Sequence, residues 1–303
     1  MAGTTPTTPD IAHVTPTETL AGVPVYRTVE QVRAARRAVR GSLALTPTMG
    51  ALHDGHLDLV RAAATEADQV WVSIFVNPTQ FGPNEDFARY PRDLEADVEA
   101  CASAGADAIF APEPATMYPP GQVACVIDAP LLTDDLEGAQ RPGHFQGVCR
   151  VVAKLLNLTQ PDVAVFGRKD YQQWRVIEAL VADLMMPTRI VARPTVREPD
   201  GLAMSSRNRY LDADARQRGL GISRALAAAV GLIEKGVTDV VKLEAVMRDV
   251  LEQADLRIDY AAVRDADTLA PITQVTPGAA VALIAARVSV GDHVVRLIDN
   301  RAL

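Results

Sequence analysis

The sequence predicts an α/β fold: a doubly wound parallel sheet with helices on both faces, followed by a smaller C-terminal α+β domain. Three observations predict it. Strand-like and helix-like patterns alternate from residue 28 to about residue 193. The run 70–76 is apolar and rich in β-branched residues apart from Ser73, as in a parallel strand buried on both faces. Beyond about residue 194 helices come first and strands later. Residues 1–22, rich in Thr, Pro, Ala and Gly without an apolar period, read as a disordered tail. Residues 28–40 read as a helix, with Val29, Val32, Ala35 and Val39 on one face, basic residues near its end and Gly41 as the stop. A strand at 43–45 leads to a helix that opens at His53 or Gly55 and runs to about residue 67. Further helices are expected at 92–104, 145–158 and 171–184, and strands at 108–110, 163–166 and 189–191. Residues 23–195 thus form the doubly wound domain, and 196–303 the second, with helices at 213–233 and 242–254 and strands at 258–263, 280–285 and 294–298.

A chain of 303 residues holds one large domain or two ordinary ones. With 48% hydrophobic and 22% charged residues it has the balance of a soluble globular protein, whose core needs neither disulfide nor metal. A net charge of -8 and a pI of about 5.2 repel nucleic acid and acidic membrane surfaces, so an anionic small substrate binds only where cations gather locally. The three cysteines, Cys101, Cys125 and Cys149, lack metal-ligand spacing and read as buried thiols of a reducing cytoplasm. No secretory signal is evident, and no apolar run approaches the ~20 residues of a membrane span. The expected location is the cytoplasm.

Four segments carry chemistry. In Thr46-Pro47-Thr48-Met49-Gly50-Ala51-Leu52-His53-Asp54-Gly55-His56 a strand turns into a helix whose start bears two imidazoles three residues apart. Unpaired N–H groups and the positive dipole end make a helix start a seat for phosphate, and Gly55 leaves room for a ligand to approach the backbone. Taken alone, such a histidine pair is equally a surface or zinc-binding feature. In Phe166-Gly167-Arg168-Lys169-Asp170-Tyr171-Gln172-Gln173 a strand ends at its carboxyl edge, where open α/β sheets bind ligands. Lys169 suits a phosphate, Asp170 a ribose hydroxyl, and Gln173 lies one helical turn on. Asn77-Pro78-Thr79-Gln80 fixes a turn at another strand end, where uncharged Gln80 suits a hydroxy acid. Met204-Ser205-Ser206-Arg207 puts two hydroxyls and a guanidinium on a short loop able to hold polyphosphate. Together they describe an interdomain cleft for a nucleotide and a neutral-polar ligand.

These segments, together with Arg141-Pro142-Gly143-His144-Phe145 and the Arg296-Leu297-Ile298-Asp299-Asn300 ending, resemble the pantothenate synthetase family in order along nearly the whole chain. The resemblance implies a nucleotidyltransferase-type Rossmann domain and a homodimer. It also implies ATP- and Mg2+-dependent condensation of pantoate with β-alanine, releasing AMP and pyrophosphate. By the same resemblance Met49, Gly50, Ala51, Leu52, His53, Asp54, Gly55 and His56 line ATP, with His56 the proton donor, His53 beside it and Lys169 the third catalytic group. Gly167, Arg168, Lys169 and Asp170 take phosphate and ribose, and Val196 sits by adenine. Met204, Ser205, Ser206 and Arg207 match a mobile phosphate loop. Gln80 and Gln173 would hold pantoate, Gln80 also lying near β-alanine. Arg168 stands where many relatives carry Glu. Ala96 precedes Asp97 where relatives offer a second acid, which leaves Asp97 as the only protein candidate for the metal. The rival readings are an adenylyltransferase that leaves AMP on its product and a silent nucleotide-binding protein. A tRNA-charging enzyme is disfavoured by the absence of a basic surface.

Overall fold

At the centre of the larger sheet lies β3 (Leu43–Thr48), and the chain leaves it in two directions. The computed structural model describes residues 15–83, 85 and 87–303. On one side of β3 lie β4 (Gln69–Ile74), β5 (Ala108–Phe110), β2 (Val23–Tyr26) and β1 (Glu18–Leu20); on the other lie β6 (Val163–Gly167) and β7 (Arg189–Arg193). Every neighbouring pair is parallel except the β1–β2 hairpin. The winding therefore reverses between β3 and β6, and a crevice opens there at the carboxyl ends of the strands.

Strand residues alternate between two cores. Leu43, Leu45, Trp71, Phe110 and Phe166 face α1 (Val29–Ala38), α7 (His144–Thr159) and α8 (Tyr171–Asp183). Ala44, Val70, Val72, Ile109 and Val165 face α2 (Asp54–Glu66) and α3 (Leu94–Ser103). The doubly wound fold class holds. Helix starts follow from their caps: Thr28 and Gln31 form a capping box on α1, and Asp93 accepts from Ala96 N–H at α3. The connection 111–143, for which the sequence predicts no elements, carries three short helices, α4 (Pro114–Met117), α5 (Pro130–Thr133) and α6 (Glu137–Gln140).

The C-terminal region comprises α9 (Ala213–Gly219), α10 (Gly221–Ile233), α11 (Val240–Gln253) and the antiparallel strands β8 (Arg257–Asp265), β9 (Ala280–Val290) and β10 (His293–Ala302). Ala280, Ala282 and Ile284 of β9 pack on the helices. Val281 and Leu283 point the other way, toward Leu136 of the larger domain. That contact is reinforced by Arg296, which donates to both Glu137 oxygens at 2.8 and 2.7 Å and to Asp259 at 2.7 Å.

Four sequence expectations need correction. The tail does not extend to residue 22: β1 pairs with β2 across a turn in which Ala21 and Gly22 take φ of 48° and 78°, the geometry of a two-residue hairpin. Residues 1–14 of that expected tail lie outside the described residues. Helix α1 ends at Ala38, short of the expected residue 40, with Val39 as its C-cap still packed on the same core as Val32 and Ala35. The expected helix 213–233 is broken at Leu220, where flanking Gly221 approaches α11 so closely that a Cβ would lie 2.5 Å from Ala254 Cβ. Cys125 is exposed, unlike buried Cys101 and Cys149.

One close approach positions the site. A Cβ on Gly147 of α7 would collide with the carbonyl of Thr79, in the 3₁₀ turn Pro78–Gln80. Gly147→Ala is therefore expected to cost about 1–3 kcal/mol, the usual range for overpacking, read by urea denaturation. Unchanged stability would show that the helix and the turn separate freely.

Candidate active site

The turn from β3 into α2 is built from two consecutive left-handed residues, Gly50 (φ 77°) and Ala51 (φ 52°). Asp97 of α3 holds it from beneath. Its two carboxylate oxygens accept the N–H groups of Ala51 at 2.9 Å and Leu52 at 2.8 Å. Glycine is required at position 50, since a Cβ there would sit 2.7 Å from Asp97 Oδ2. Asp97 is buried, and burial raises its pKa although the two amides pull it down.

The turn delivers His53 as the N-cap of α2 and His56 into its first turn, their ring centroids 4.0 Å apart. Burial first and Lys169 second depress the His53 pKa to about 4; burial, His53 and Lys169 depress that of His56 to about 3. Both rings are therefore neutral at pH 7, each with one N–H to donate. Each Nδ1 is buried without a hydrogen-bond partner among the described residues. Gly55 serves these rings directly. A Cβ on it would lie 3.0 Å from His53 Cε1 and 3.5 Å from Met204 Cβ, so a side chain here would press on the His53 ring at the cavity wall.

Around the histidines lies a cavity of about 200 Å³ at the β3/β6 reversal. Lys169 enters from the turn after β6, its Nζ 3.9 Å from Asp170 Oδ2. Gln80 enters from the turn after β4, where its Oε1 accepts from Asn77 Nδ2 at 2.9 Å and its Nε2 donates to Met49 Sδ at 3.2 Å. Asn77 Oδ1 in turn accepts from Tyr118 OH at 2.8 Å. The Gln80 carbonyl lies 2.9 Å from His144 Nδ1, while Arg141 Nη1 sits 3.1 Å from His144 Nε2. Since the guanidinium can only donate, His144 carries its proton on Nδ1 and donates to Gln80. Val196 and Met204 close the cavity from the C-terminal side, paired through Met204 N–H to Val196 O at 3.0 Å.

Residues 24–302 match the family model for pantoate–β-alanine ligase. The chain belongs to the pantoate–β-alanine ligase family. It is 53% identical over 283 residues to the pantothenate synthetase of Myxococcus xanthus, covering 92% of this chain and 96% of that one. The crystal structure of pantothenate synthetase from Thermus thermophilus superposes with a TM-score of 0.84 at 44% identity, covering 92% of this chain and 98% of that one. The pantoate–β-alanine ligase of Francisella tularensis, solved with β,γ-ATP and β-alanine, gives 0.74 at 32% identity, covering 94% and 98%. As a member of this family the chain is a carbon–nitrogen ligase that uses ATP to join pantoate to β-alanine.

The ligase motifs are not all brought to the cavity wall. Met49, His53, Gly55, His56 and Gln80 line it, as do Gly167, Lys169, Asp170 and Gln173, and Val196 and Met204. Gly50, Ala51 and Leu52 shape the turn behind it, and Asp54 is exposed at the start of α2. Arg168 points away, its guanidinium 5.2 Å from the Trp174 ring centroid. Ser205, Ser206 and Arg207 follow Met204 outside the lining, where the Ser205 hydroxyl accepts from Arg207 N–H at 3.2 Å and starts a 3₁₀ turn. Asp97, the metal candidate, is absent from the wall and spends both oxygens on backbone amides. No cluster of three or more His, Cys, Asp or Glu fit for a metal occurs among the described residues, so His53, Asp54 and His56 do not form a zinc set. The sequence reading missed the apolar wall of Val148, Val151, Val152 and Leu155 on α7. Its helical spacing is that of a core face, and no residue type marks it as a cavity face.

Three neutral histidines, His144 buried and His53 and His56 half-buried, make stability depend on pH near neutrality, since burial and then Arg141 also depress the His144 pKa, to about 4. Unfolded, each takes a proton near 6.5; folded, none does until about 4 or below, so stability is lost as pH falls below about 6.5. Denaturant melts between pH 7 and 5.5, before the carboxylates titrate, are expected to show this fall. His144→Asn should make it shallower by about 1.4 kcal/mol per pH unit below 6.5. An unchanged slope would place the buried protonation elsewhere.

Proposed function

We propose that this cavity joins pantoate to β-alanine in two steps through a pantoyl adenylate, with ATP bound as its magnesium complex. The observation that carries the reading is the convergence of four separate family motifs on one cavity, with His53, His56, Lys169, Gln80, Gln173, Val196 and Met204 on its wall. In the first step a pantoate carboxylate oxygen attacks the α-phosphorus, and the bond to the bridging oxygen breaks to release pyrophosphate. In the second the β-alanine amine attacks the acyl carbon, AMP leaves, and the nitrogen loses a proton as the amide forms.

The first nucleophile is already ionised at neutral pH, so the step calls for positioning and charge compensation, not for a strong base. Imidazoles with pKa values of about 3 and 4 are poor bases at pH 7 and suit N–H donation to phosphoryl oxygens. Lys169 supplies the positive charge, and Gln80 and Gln173 hold pantoate by uncharged hydrogen bonds. Met204 to Arg207 are assigned to the triphosphate, reaching it by movement of their loop. Magnesium entering with the nucleotide would be held by phosphates and water and would supply charge compensation. The division between the two domains is placed at residues 195 and 196. A homodimer and a cytoplasmic location belong to the same proposal. No helix among the described residues is long and apolar enough to cross a membrane.

Mass spectrometry of protein supplied with pantoate and ATP but no β-alanine is expected to detect an acyl adenylate. Its absence, with pyrophosphate released only when the amine is present, would replace the two-step reading with a concerted one. His56→Ala and Lys169→Ala should each lower kcat about 100-fold or more, the scale of one lost transition-state donor. Gln80→Ala should raise the KM for pantoate while that for ATP holds, and unchanged pantoate kinetics would remove Gln80 from its assigned role.

A further inference from the structure

The family motif at the end of the chain has no role in the scheme above, yet its last two residues, Asp299 and Asn300, bond to Arg197, which follows the lining residue Val196, and to the backbone on either side of the lining residue Lys169. Both are buried, on the final strand β10. Asn300 Nδ2 donates to the carbonyl of Arg168 at 2.9 Å and to that of Lys169 at 2.8 Å. These oxygens belong to the two peptide groups on either side of the Lys169 Cα. Holding both planes sets the φ and ψ of Lys169, and so the direction in which its flexible stem leaves the turn. Asp299 meanwhile takes Arg197 in a two-pronged ion pair at 2.6 and 3.0 Å. Arg197 bridges to Ala203, at the base of the hairpin that presents Val196 and Met204.

We propose that Asn300 is a positioning residue for the ligase reaction: from the C-terminal sheet it fixes the backbone of Lys169 and thereby aims the ammonium at the nucleotide phosphates. The inference rests on the catalytic role assigned to Lys169. An asparagine suits the task because its amide offers two N–H bonds from one nitrogen without bringing a second charge beside Lys169. An aspartate of the same shape would turn a carboxylate oxygen on the two carbonyls.

The test is a double-mutant cycle on the full-length enzyme, following pyrophosphate release with pantoate and ATP. Asn300→Ala is expected to lower kcat about 10- to 100-fold, the cost of a misplaced catalytic group, with the KM for pantoate unchanged. In a Lys169→Ala background the same change should cost less than about threefold, because its effect runs through the lysine. Asn300→Asp, isosteric but lacking the donors, should reproduce the loss and serves where the alanine variant yields no folded protein. Arg175→Gln breaks another contact between the domains, Arg175 Nε to Asp267 O at 2.9 Å, and should lower the melting temperature while leaving kcat intact. Equal losses in both Lys169 backgrounds, or a lowered melting temperature with full kcat in Asn300→Ala, would overturn the proposal. Full activity in Lys169→Ala alone would instead remove the role assigned to Lys169, and this inference with it.

Discussion

The hydrogen bonds from Ala51 and Leu52 to Asp97 are the constraint on which the cavity depends. A non-glycine residue at φ 52° is uncommon, and a buried carboxylate is costly unless its oxygens are satisfied. Each problem resolves the other. The left-handed pair aims two successive N–H groups at one carboxylate, and the carboxylate holds the turn in a conformation the chain would otherwise leave. The turn decides where α2 begins. That start decides which residue caps the helix and which occupies its first turn, so the 4.0 Å spacing of the His53 and His56 rings follows from a contact on the far side of the loop.

The histidines, in turn, owe their state to what surrounds them. The chain as a whole carries a charge of -8, yet at the cavity Lys169 is close enough to depress both imidazole pKa values. The helix start adds a partial positive charge of its own. Burial first, and this positive environment second, keep the rings neutral. In the proposed complex the triphosphate would meet these neutral N–H donors with the positive charge of Lys169 beside them. Compensation of this kind costs little reorganisation, because the donors are already oriented by backbone geometry.

How much of this is legible in the sequence differs from element to element. The alternation of strands and helices is readable because apolar residues change period from 2 to 3.6, and helix starts are readable where the cap is chemical, as at Thr28, Asp93 and Asp239. Strand β2 is not: Val23-Pro24-Val25-Tyr26 is four residues long, contains a proline and owes its conformation to β5. The helix break at Leu220 is equally hidden, since the close approach to Ala254 that requires Gly221 is a tertiary fact. Within the site, the motifs assigned to phosphate in the proposal stand out by residue type. Gln173 lines the cavity, whereas Gln172 lies buried and donates to the carbonyls of Leu132 and Asp135. The structural part Asp97 plays is hidden from the sequence, because the left-handed turn whose N–H groups it accepts is visible only in three dimensions.

The same separation between local and tertiary information explains why the site spans two domains. An acyl adenylate survives only where water is excluded, and the strand ends of an open sheet are exposed to solvent on their outer side. The C-terminal region supplies the missing wall through Val196 and Met204, and it is fixed in place by contacts of unequal kind. The Val281–Leu283 face is apolar and tolerates sliding. The Arg296–Glu137 pair is not tolerant: Glu137 is buried, and although burial raises its pKa, the Arg296 guanidinium holds it below the ordinary carboxylate value. A shift of the domain by one hydrogen-bond length would leave that carboxylate unpaired in a low-dielectric setting, a state costing several kcal/mol. The buried pair thus contributes registry more than net stability, keeping the second wall where a small, dry cavity needs it.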